Sequence, residues 1–377
     1  DLICGSLEGK TAPSGQEPEL VWGGGLQYAE TFAMIEEGDQ CSAPFLYEPE
    51  KILRVESYDR TVLYEEGRDY RVEKGRLVLT EHSRIPHTGW EYFFHPDQET
   101  AEEALQNNPV KLDFGPVASV DGKYLNLGAI CHPEKVTKWM AVVTYTTKDV
   151  WKGIIPVCEL DQLPRFSEKL KKKEPVQIIL YGDSISCGWD CSGIYGQQPG
   201  QPVWPELVLD QMRKKWESPV EFHNVSVGGV DSEWAIAHAE KRVAAYRPDL
   251  VILGFGMNDR CPGPEFARKT EHLMEKIRKT SPDTEFLLIA TTLPNALAHT
   301  APVYFDAYQG EYSDALKGLC REGVILADVQ EIQRELQKKK RYADLTGNWL
   351  NHPNDYLARV QAQVIAAVLG LLQEETS

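Results

Sequence analysis

The sequence predicts an α/β fold, a three-layer doubly wound parallel sheet, preceded by an all-β sandwich of jelly-roll type. Three observations predict this architecture. The chain has 377 residues, which is more than one ordinary domain needs. Strand patterns and turns dominate its first part, and short apolar runs alternate with helical patterns in its second part. The predicted domains are therefore residues 1–165 and 176–377, with a polar, lysine-rich linker at 166–175.

Composition and charge exclude two classes of partner. The formal net charge is −17 at pH 7, so neither a nucleic acid nor an anionic membrane would be attracted to the surface. Hydrophobic residues make up 42% of the chain, which is enough for substantial cores. No apolar run approaches the ~20 residues that span a bilayer. We therefore expect no nucleic-acid partner and no membrane partner.

The cysteines favour a cytoplasmic location. Eight of them are scattered along the chain without a Cys-x-x-Cys pair, which argues against a zinc site. Cys187 and Cys191 could form a disulfide, but free thiols in a reducing cytosol are the favoured interpretation. Residues 1–15 resemble neither a signal peptide nor a transit peptide, and a secretion leader removed before them is the alternative.

The segment 20–157 is typical of an antiparallel β domain. A hairpin is predicted where strand patterns at 69–72 and 76–80 flank Gly75. Only one segment, 100–106, has a helical composition. Short strands without alternating helices favour a sandwich, and we assign its aromatic residues to the core in preference to a sugar-binding surface. The remaining strand patterns are 61–64, 90–94 and 138–145.

After the linker, five strand patterns alternate with helical patterns. Such alternation predicts parallel strands joined by helical crossovers. The predicted strands are 176–181, 220–227, 250–255, 285–290 and 324–329. The predicted helices are 203–216, 232–246, 266–279, a helix within 301–320, and 356–372.

The first of these strands ends in a turn that could carry chemistry. The apolar run from Val176 to Tyr181 is followed by Gly182, Asp183 and Ser184. Open α/β sheets bind ligands at the carboxyl ends of their strands. A serine at this place is a candidate nucleophile if a base lies within hydrogen-bond reach, whereas the alternative is a serine that only caps the next segment.

Three further segments supply the groups that such a nucleophile needs. The second strand runs into Gly229, the third runs into Asn258, and His352 lies in a loop just before the last helix. Because the carboxyl ends of parallel strands lie at one edge of a sheet, these residues can meet Ser184. Ser184 and His352 would be nucleophile and base. The N–H groups of Ser184 and Gly229, with the Asn258 amide, would hold an oxyanion.

These four blocks, in this order, resemble the SGNH (GDSL-type) hydrolase family over residues 175–377. The resemblance implies that Ser184 is the nucleophile and His352 the general base. It also implies an oxyanion hole at Gly229, or the preceding glycine, and Asn258, and it implies no metal and no cofactor. A β-sandwich ahead of such a domain is similar to the arrangement in carbohydrate esterase family 2, whose members remove acetyl groups from plant polysaccharides.

One position departs from the family pattern. The family usually has an aspartate three residues before the histidine, where this chain has Trp349. His352 could be oriented by a backbone carbonyl, by Asn348, or by Asp344 folding back. We expect a Ser-His dyad in which a backbone carbonyl accepts from the imidazole and Asp344 shapes the loop.

The expected function is hydrolysis of an acetyl or other short-chain ester on a carbohydrate. The expected partner is thus a small-molecule or oligosaccharide ester, and Asp183, Trp189 and Trp349 are the predicted substrate-binding residues. Trp204 and Trp234 lie near the same crevice and could equally pack in the core. A lipase or thioesterase on the same machinery is one alternative. A non-catalytic carbohydrate-binding protein is the other, and the intact site residues count against it.

Overall fold

The computed structural model describes residues 20–38, 40–107, 115–119, 121–130, 132–298 and 308–372. An antiparallel β region comes first and a parallel α/β region follows. The strands of the first region are β1 (Gly25–Ala33), β2 (Glu36–Glu37), β3 (Gln40–Pro44), β4 (Pro49–Ser57), β5 (Tyr70–Glu73), β6 (Arg76–Leu79), β7 (Phe94–His95), β8 (Tyr124–Leu125) and β9 (Met140–Thr147). Its helices are α1 (Gln98–Gln106), α2 (Leu127–Ile130) and α3 (Pro133–Thr137).

Two antiparallel sheets form the β region, which confirms the predicted β domain. Their strand orders are β1-β9-β4 and β2-β3-β6-β5, and β7 pairs with β8 in a separate ribbon. The predicted hairpin joins β5 to β6, with Gly75 in the left-handed conformation at φ +66°. Phe45 packs edge-on against Phe32 and Tyr145 at ring distances of 4.7 and 4.9 Å, and it thereby joins the sheets through a common apolar core.

Two strand predictions in this region are wrong. Residues 90–94 begin with a turn of 3₁₀ helix, Trp90–Tyr92, and only the end of the segment pairs in a strand. Residues 61–64 form a single bridge, between Leu63 and Glu56. The apolar residues of both segments suggested full strands, but residues 90–92 form a helical turn and residues 61–64 pair with β4 at one bridge only.

The second region contains the predicted alternation of strands and helices. Its strands are β10 (Val176–Gly182), β11 (Val220–Asn224), β12 (Leu250–Gly254), β13 (Glu285–Ile289) and β14 (Val324–Ala327). Its helices are α4 (Pro164–Lys171), α5 (Ser184–Cys187), α6 (Trp204–Lys215), α7 (Ser232–Arg242), α8 (Gly263–Thr280), α9 (Tyr312–Lys317), α10 (Val329–Gln337) and α11 (Asp355–Val368).

The five strands form one parallel sheet in the order β11-β10-β12-β13-β14. Both faces of the sheet are covered. Ile178 and Leu180 belong to an apolar core with residues of α6 and α11, whereas Ile179 and Tyr181 belong to a second core with residues of α7 and α8. From β10 the chain passes to β11 on one side and then crosses to β12 on the other side, so the strand order reverses at β10. Doubly wound sheets bind ligands in the crevice at this kind of reversal. The predicted fold class is confirmed.

Differences from the predicted helices are local. The strand predicted at 324–329 ends early because Asp328 accepts from the backbone N–H of Glu331 at 3.1 Å and starts α10, a helix that the sequence did not predict. The helix predicted within 301–320 corresponds to α9, and residues 301–307 of that prediction lie outside the described residues. Among the described helices, none is both long and apolar enough to cross a membrane.

The two regions share one apolar core. All residues of α11 are buried, and the core that contains α11 extends into the β sheets. Lys340 and Glu30, both fully buried, form an ion pair of 2.6 Å between the regions. Phe166, inside the segment predicted as a linker, packs edge-on against Trp216. Because this core is continuous, the bounds of the two domains stay a prediction.

Candidate active site

Ser184 is the first residue of α5, directly after the central strand β10. The Asp183 carboxylate caps this helix by accepting from the backbone N–H of its second residue at 3.0 Å. Gly182 and Gly254 face each other on neighbouring strands, and a Cβ on either would lie within 2.4 Å of the Ser186 hydroxyl. Two glycines therefore let the turn that carries the serine fold tightly against the next strand.

Ser184 and His352 are in direct contact. The Ser184 Oγ lies 2.8 Å from the His352 Nε2, although the residues are 168 positions apart. Both side chains are largely buried, with exposed fractions of 3% and 8%. The His352 backbone N–H donates to Asn348 Oδ1 at 3.1 Å, and its carbonyl accepts from the Gly347 N–H at 3.0 Å. The nucleophile and the base of the sequence prediction thus meet in hydrogen-bonding geometry.

A carboxylate that the sequence interpretation missed lies on the other side of the imidazole. Asp190 Oδ2 forms a short contact with His352 Nδ1, and Asn348 Nδ2 lies 2.9 Å from the same nitrogen. The expected dyad with a backbone carbonyl at this position is therefore wrong. Because a carboxylate oxygen can only accept, the contact with Asp190 assigns the imidazole proton to Nδ1, and Nε2 is free to accept from the Ser184 hydroxyl.

Asp190 belongs to the loop that follows the nucleophile, not to the loop that precedes the histidine. It has a left-handed backbone with φ of +65°, and the Tyr195 hydroxyl lies 3.4 Å from its Oδ1. A Cβ on Gly347 would lie 2.4 Å from the Asp190 carbonyl oxygen, so a glycine lets the two loops approach. An acidic residue six positions after the candidate nucleophile was the only sequence signal for this contact.

Asp344 has a different role. It is fully buried and accepts from the Ala33 and Arg341 backbone N–H groups, both at 2.8 Å. Burial alone would raise the pKa of the Asp344 carboxyl, but the charges of Arg341 and Lys340 hold it below its usual value. Its carboxylate thus anchors the base of the histidine loop, as the sequence interpretation expected.

The two candidate oxyanion donors follow the strands on either side of β10: Gly229 comes after β11 and Asn258 after β12. Gly229 has φ of +76°, and a Cβ there would meet no atom within 4 Å, so this residue faces open space. A Cβ on Gly228 would lie 2.5 Å from the Trp189 ring, so Gly228 packs against that ring, and both glycines stay candidates for the backbone donor. The Asn258 side-chain amide donates one proton to the Val230 carbonyl at 3.0 Å, and its second amide proton has no acceptor among the described residues.

The predicted substrate-binding residues differ in their surroundings. Trp189 is half-buried, and its ring lies edge-on to the His352 ring with centroids 6.0 Å apart. The predictions for Asp183 and Trp349 are wrong, because the fully buried Asp183 carboxylate caps α5 and the Trp349 ring is stacked on Phe93. Trp204 is also buried and belongs to the core.

The buried carboxyl of Asp183 makes stability depend on pH. Burial raises the pKa of Asp183 to about 7, whereas an unfolded aspartate titrates near ~4. The folded state therefore binds the extra proton between these values, and the folded protein loses stability as pH rises through that range. We expect Asp183→Asn, which can still cap α5, to gain stability relative to wild type between pH ~4 and pH ~7, measured by urea unfolding. Parallel pH dependences of the two proteins would contradict this assignment.

Several solved structures are similar to part of this chain. A two-domain esterase active on acetylated mannans, co-crystallised with mannopentaose, is 22% identical with a TM-score of 0.44, over 57% of this chain and 54% of that one. An acetylxylan esterase from Geobacillus stearothermophilus is 15% identical with a TM-score of 0.43, over 53% and 97%. An alpha/beta hydrolase from the metagenome of Lake Arreo, Spain, is 20% identical with a TM-score of 0.42, over 53% and 97%. The match spans about half the length of the two-domain esterase.

A family model covers the segment that contains the site. No curated protein sequence matches the chain. The model of the GDSL-like lipase/acylhydrolase family matches residues 180–360, a range that begins just before Ser184 and ends just after His352. The nucleophile turn, both candidate oxyanion donors and the base all fall inside it. The segment of the chain that contains the site is thus similar to the GDSL-like lipase/acylhydrolase family.

Proposed function

We propose that this protein is a serine esterase that removes acetyl groups from carbohydrate hydroxyls. The observation that carries the proposal is the line of contacts Ser184–His352–Asp190, with 2.8 Å between the serine oxygen and the imidazole. In such a line the imidazole accepts the serine proton, and the carboxylate fixes the tautomer and stabilises the imidazolium that forms.

In the first half of the reaction, the Ser184 Oγ attacks the acetyl carbonyl carbon and its proton passes to His352 Nε2. The carbonyl oxygen becomes an oxyanion. The backbone N–H groups of Ser184 and Gly229 and the second amide proton of Asn258 would stabilise it. His352 then protonates the departing sugar oxygen, the carbon–oxygen bond breaks, and an acetyl ester of Ser184 remains.

In the second half, water takes the place of the sugar hydroxyl. His352 accepts a proton from the water as its oxygen attacks the acetyl carbonyl, and the same donors hold the second oxyanion. The intermediate expels the Ser184 oxygen, which regains its proton from His352, and acetate leaves. In both halves the Asp190 carboxylate would hold the imidazole in its tautomer and stabilise the imidazolium that forms.

Two features beside the site support a short acyl group on a sugar. Trp189 lies against Gly228 on one side and beside His352 on the other, so a bulky ring occupies space next to the reacting atoms. Tyr195, whose hydroxyl approaches Asp190, is 45% exposed. Aromatic rings at a rim offer the flat, amphipathic faces on which a sugar ring can stack.

A chain-length series tests the acyl assignment. We expect p-nitrophenyl acetate to have the highest kcat/KM among the acetate, butyrate and octanoate esters. Octanoate should be slower by about tenfold or more, because a pocket that lacks room for methylenes discriminates by about 10–200-fold. Faster hydrolysis of octanoate would support the lipase alternative, and no hydrolysis of any ester would support the non-catalytic binding protein. Acetate release from an acetylated oligosaccharide, with acetyl-CoA as the thioester control, then tests the alcohol half of the substrate.

A further inference from the structure

The loop that carries His352 rests on an aromatic cage from the N-terminal β region. Trp349, three residues before the histidine, stacks on Phe93 with ring centroids 4.1 Å apart and an interplanar angle of 5°. Trp90 and Phe94 contact the same ring edge-on at 5.5 and 6.0 Å. This cage, Trp90–Phe93–Phe94, is the place where the 3₁₀ turn replaces the strand predicted from the sequence.

Hydrogen bonds from the β region hold the same loop on both sides of the histidine. Before it, the Thr31 hydroxyl donates to the Asp344 carbonyl, and the Ala33 N–H donates to the Asp344 carboxylate at 2.8 Å. After it, the Asn354 side-chain amide donates to the Thr31 hydroxyl at 3.2 Å. The β region thus contacts the loop at residues that bracket His352.

Trp349 has a backbone conformation that disfavours an aromatic side chain. The residue has φ of +63°, a left-handed conformation in which glycine is favoured over any residue with a Cβ. Its carbonyl accepts from the Asn295 side-chain amide at 2.7 Å, which fixes the turn from the hydrolase side. A large aromatic side chain at such a position is unfavourable for the turn itself, so its contribution must come from the cage.

We propose that Trp349 and Phe93 are positioning residues, through which the N-terminal β region holds His352 at the correct distance from both Ser184 and Asp190. The inference rests on the proposed function for the identity of the reaction. His352 must satisfy one partner on each ring nitrogen at once, so small displacements of its loop break one contact or the other. A misplacement of about 1 Å by a distant substitution can cost about 10²-fold in rate. The β region thereby contributes to catalysis, because it positions His352.

Three variants distinguish the contribution of the Trp349 ring from that of its left-handed backbone. Phe93→Leu removes the stacking partner on the β region. Trp349→Gly suits the left-handed backbone but removes the ring, whereas Trp349→Phe keeps a ring and removes an indole N–H that has no partner among the described residues. The matched control is Phe45→Leu, since Phe45 is buried to a similar degree in a different apolar cluster of the same β region.

Two readouts distinguish positioning from general stability. The first is the split between kcat and KM on a soluble acetyl ester. The second is the rate at which phenylmethylsulfonyl fluoride inactivates the enzyme, which needs Ser184 and its base but no particular substrate. We expect Phe93→Leu and Trp349→Gly to lower both kcat and the inactivation rate by about 10–100-fold, with KM changed by less than about threefold. Trp349→Phe should retain at least about a third of both rates, and Phe45→Leu should do so despite a comparable fall in Tm.

Equal effects of Phe93→Leu and Phe45→Leu on kcat at matched loss of Tm would overturn the proposal. Full activity of Trp349→Gly would also overturn it, and if that variant does not fold, Phe93→Leu, Trp349→Phe and the control still decide. The wild-type protein could hydrolyse no acetyl ester while the inactivation rates of wild type and variants follow the expected order. That result would contradict the proposed function and support this inference. If the wild-type enzyme hydrolyses the acetyl ester but the variants and the control have the same kcat and inactivation rate, this inference fails and the proposed function stands.

Discussion

Ser184→Ala should lower kcat on an acetyl ester by about 10⁶-fold, because it removes the atom that forms the acyl-enzyme. The matched control is Ser186→Ala, two residues further on, whose equally buried hydroxyl donates to the Gly254 carbonyl at 3.3 Å. We expect that control to stay within about tenfold of wild type, since Ser186 packs the turn without touching His352. Initial rates with p-nitrophenyl acetate measure both. A Ser184→Ala protein that keeps a tenth of the wild-type rate would rule out the serine mechanism.

Asp190→Asn should have the next largest effect, a loss of about 10⁴-fold in kcat, because an amide no longer fixes the imidazole tautomer or stabilises the imidazolium. Asp344→Asn is the matched control: it changes a carboxylate that is also buried, but one that bonds Arg341 and the Ala33 N–H and not the imidazole. We expect Asp344→Asn to lose no more than about tenfold in kcat while lowering Tm. Circular dichroism checks that both variants fold. The opposite order of the two effects would show that Asp344, and not Asp190, supports the histidine.

The strands of the α/β region were predictable from sequence because both faces of the sheet are buried. Such strands must be apolar throughout, as Val176 to Tyr181 are, and the turn at their carboxyl end is where chemistry is expected. The same reasoning predicted that Ser184, Gly229, Asn258 and His352 meet at that edge, and the structure brings Ser184 and His352 into contact. The reasoning rests on the topology of parallel strands, which places distant segments at one edge, and on the resemblance of the four blocks to one family.

Asp190 and Trp349 were misjudged because their environment is created by contacts distant in sequence. Asp190 reaches the imidazole through a left-handed turn and through the close approach that Gly347 permits, and neither is encoded in a local pattern. Trp349 was assigned to the crevice because it adjoins His352, but the cage around Phe93 buries it. Sequence proximity to a catalytic residue therefore predicted the wrong face for a residue whose partners lie some 250 positions earlier.

The central claim is that catalysis passes through an acetyl ester of Ser184, and trapping that ester tests it most directly. The enzyme is mixed with an excess of p-nitrophenyl acetate, quenched in acid during turnover, digested and analysed by mass spectrometry. The account predicts one acetyl group on the peptide that contains Ser184, and none on the same peptide of Ser184→Ala. Turnover accompanied by an unmodified Ser184, with the acetyl group on another residue, would contradict it.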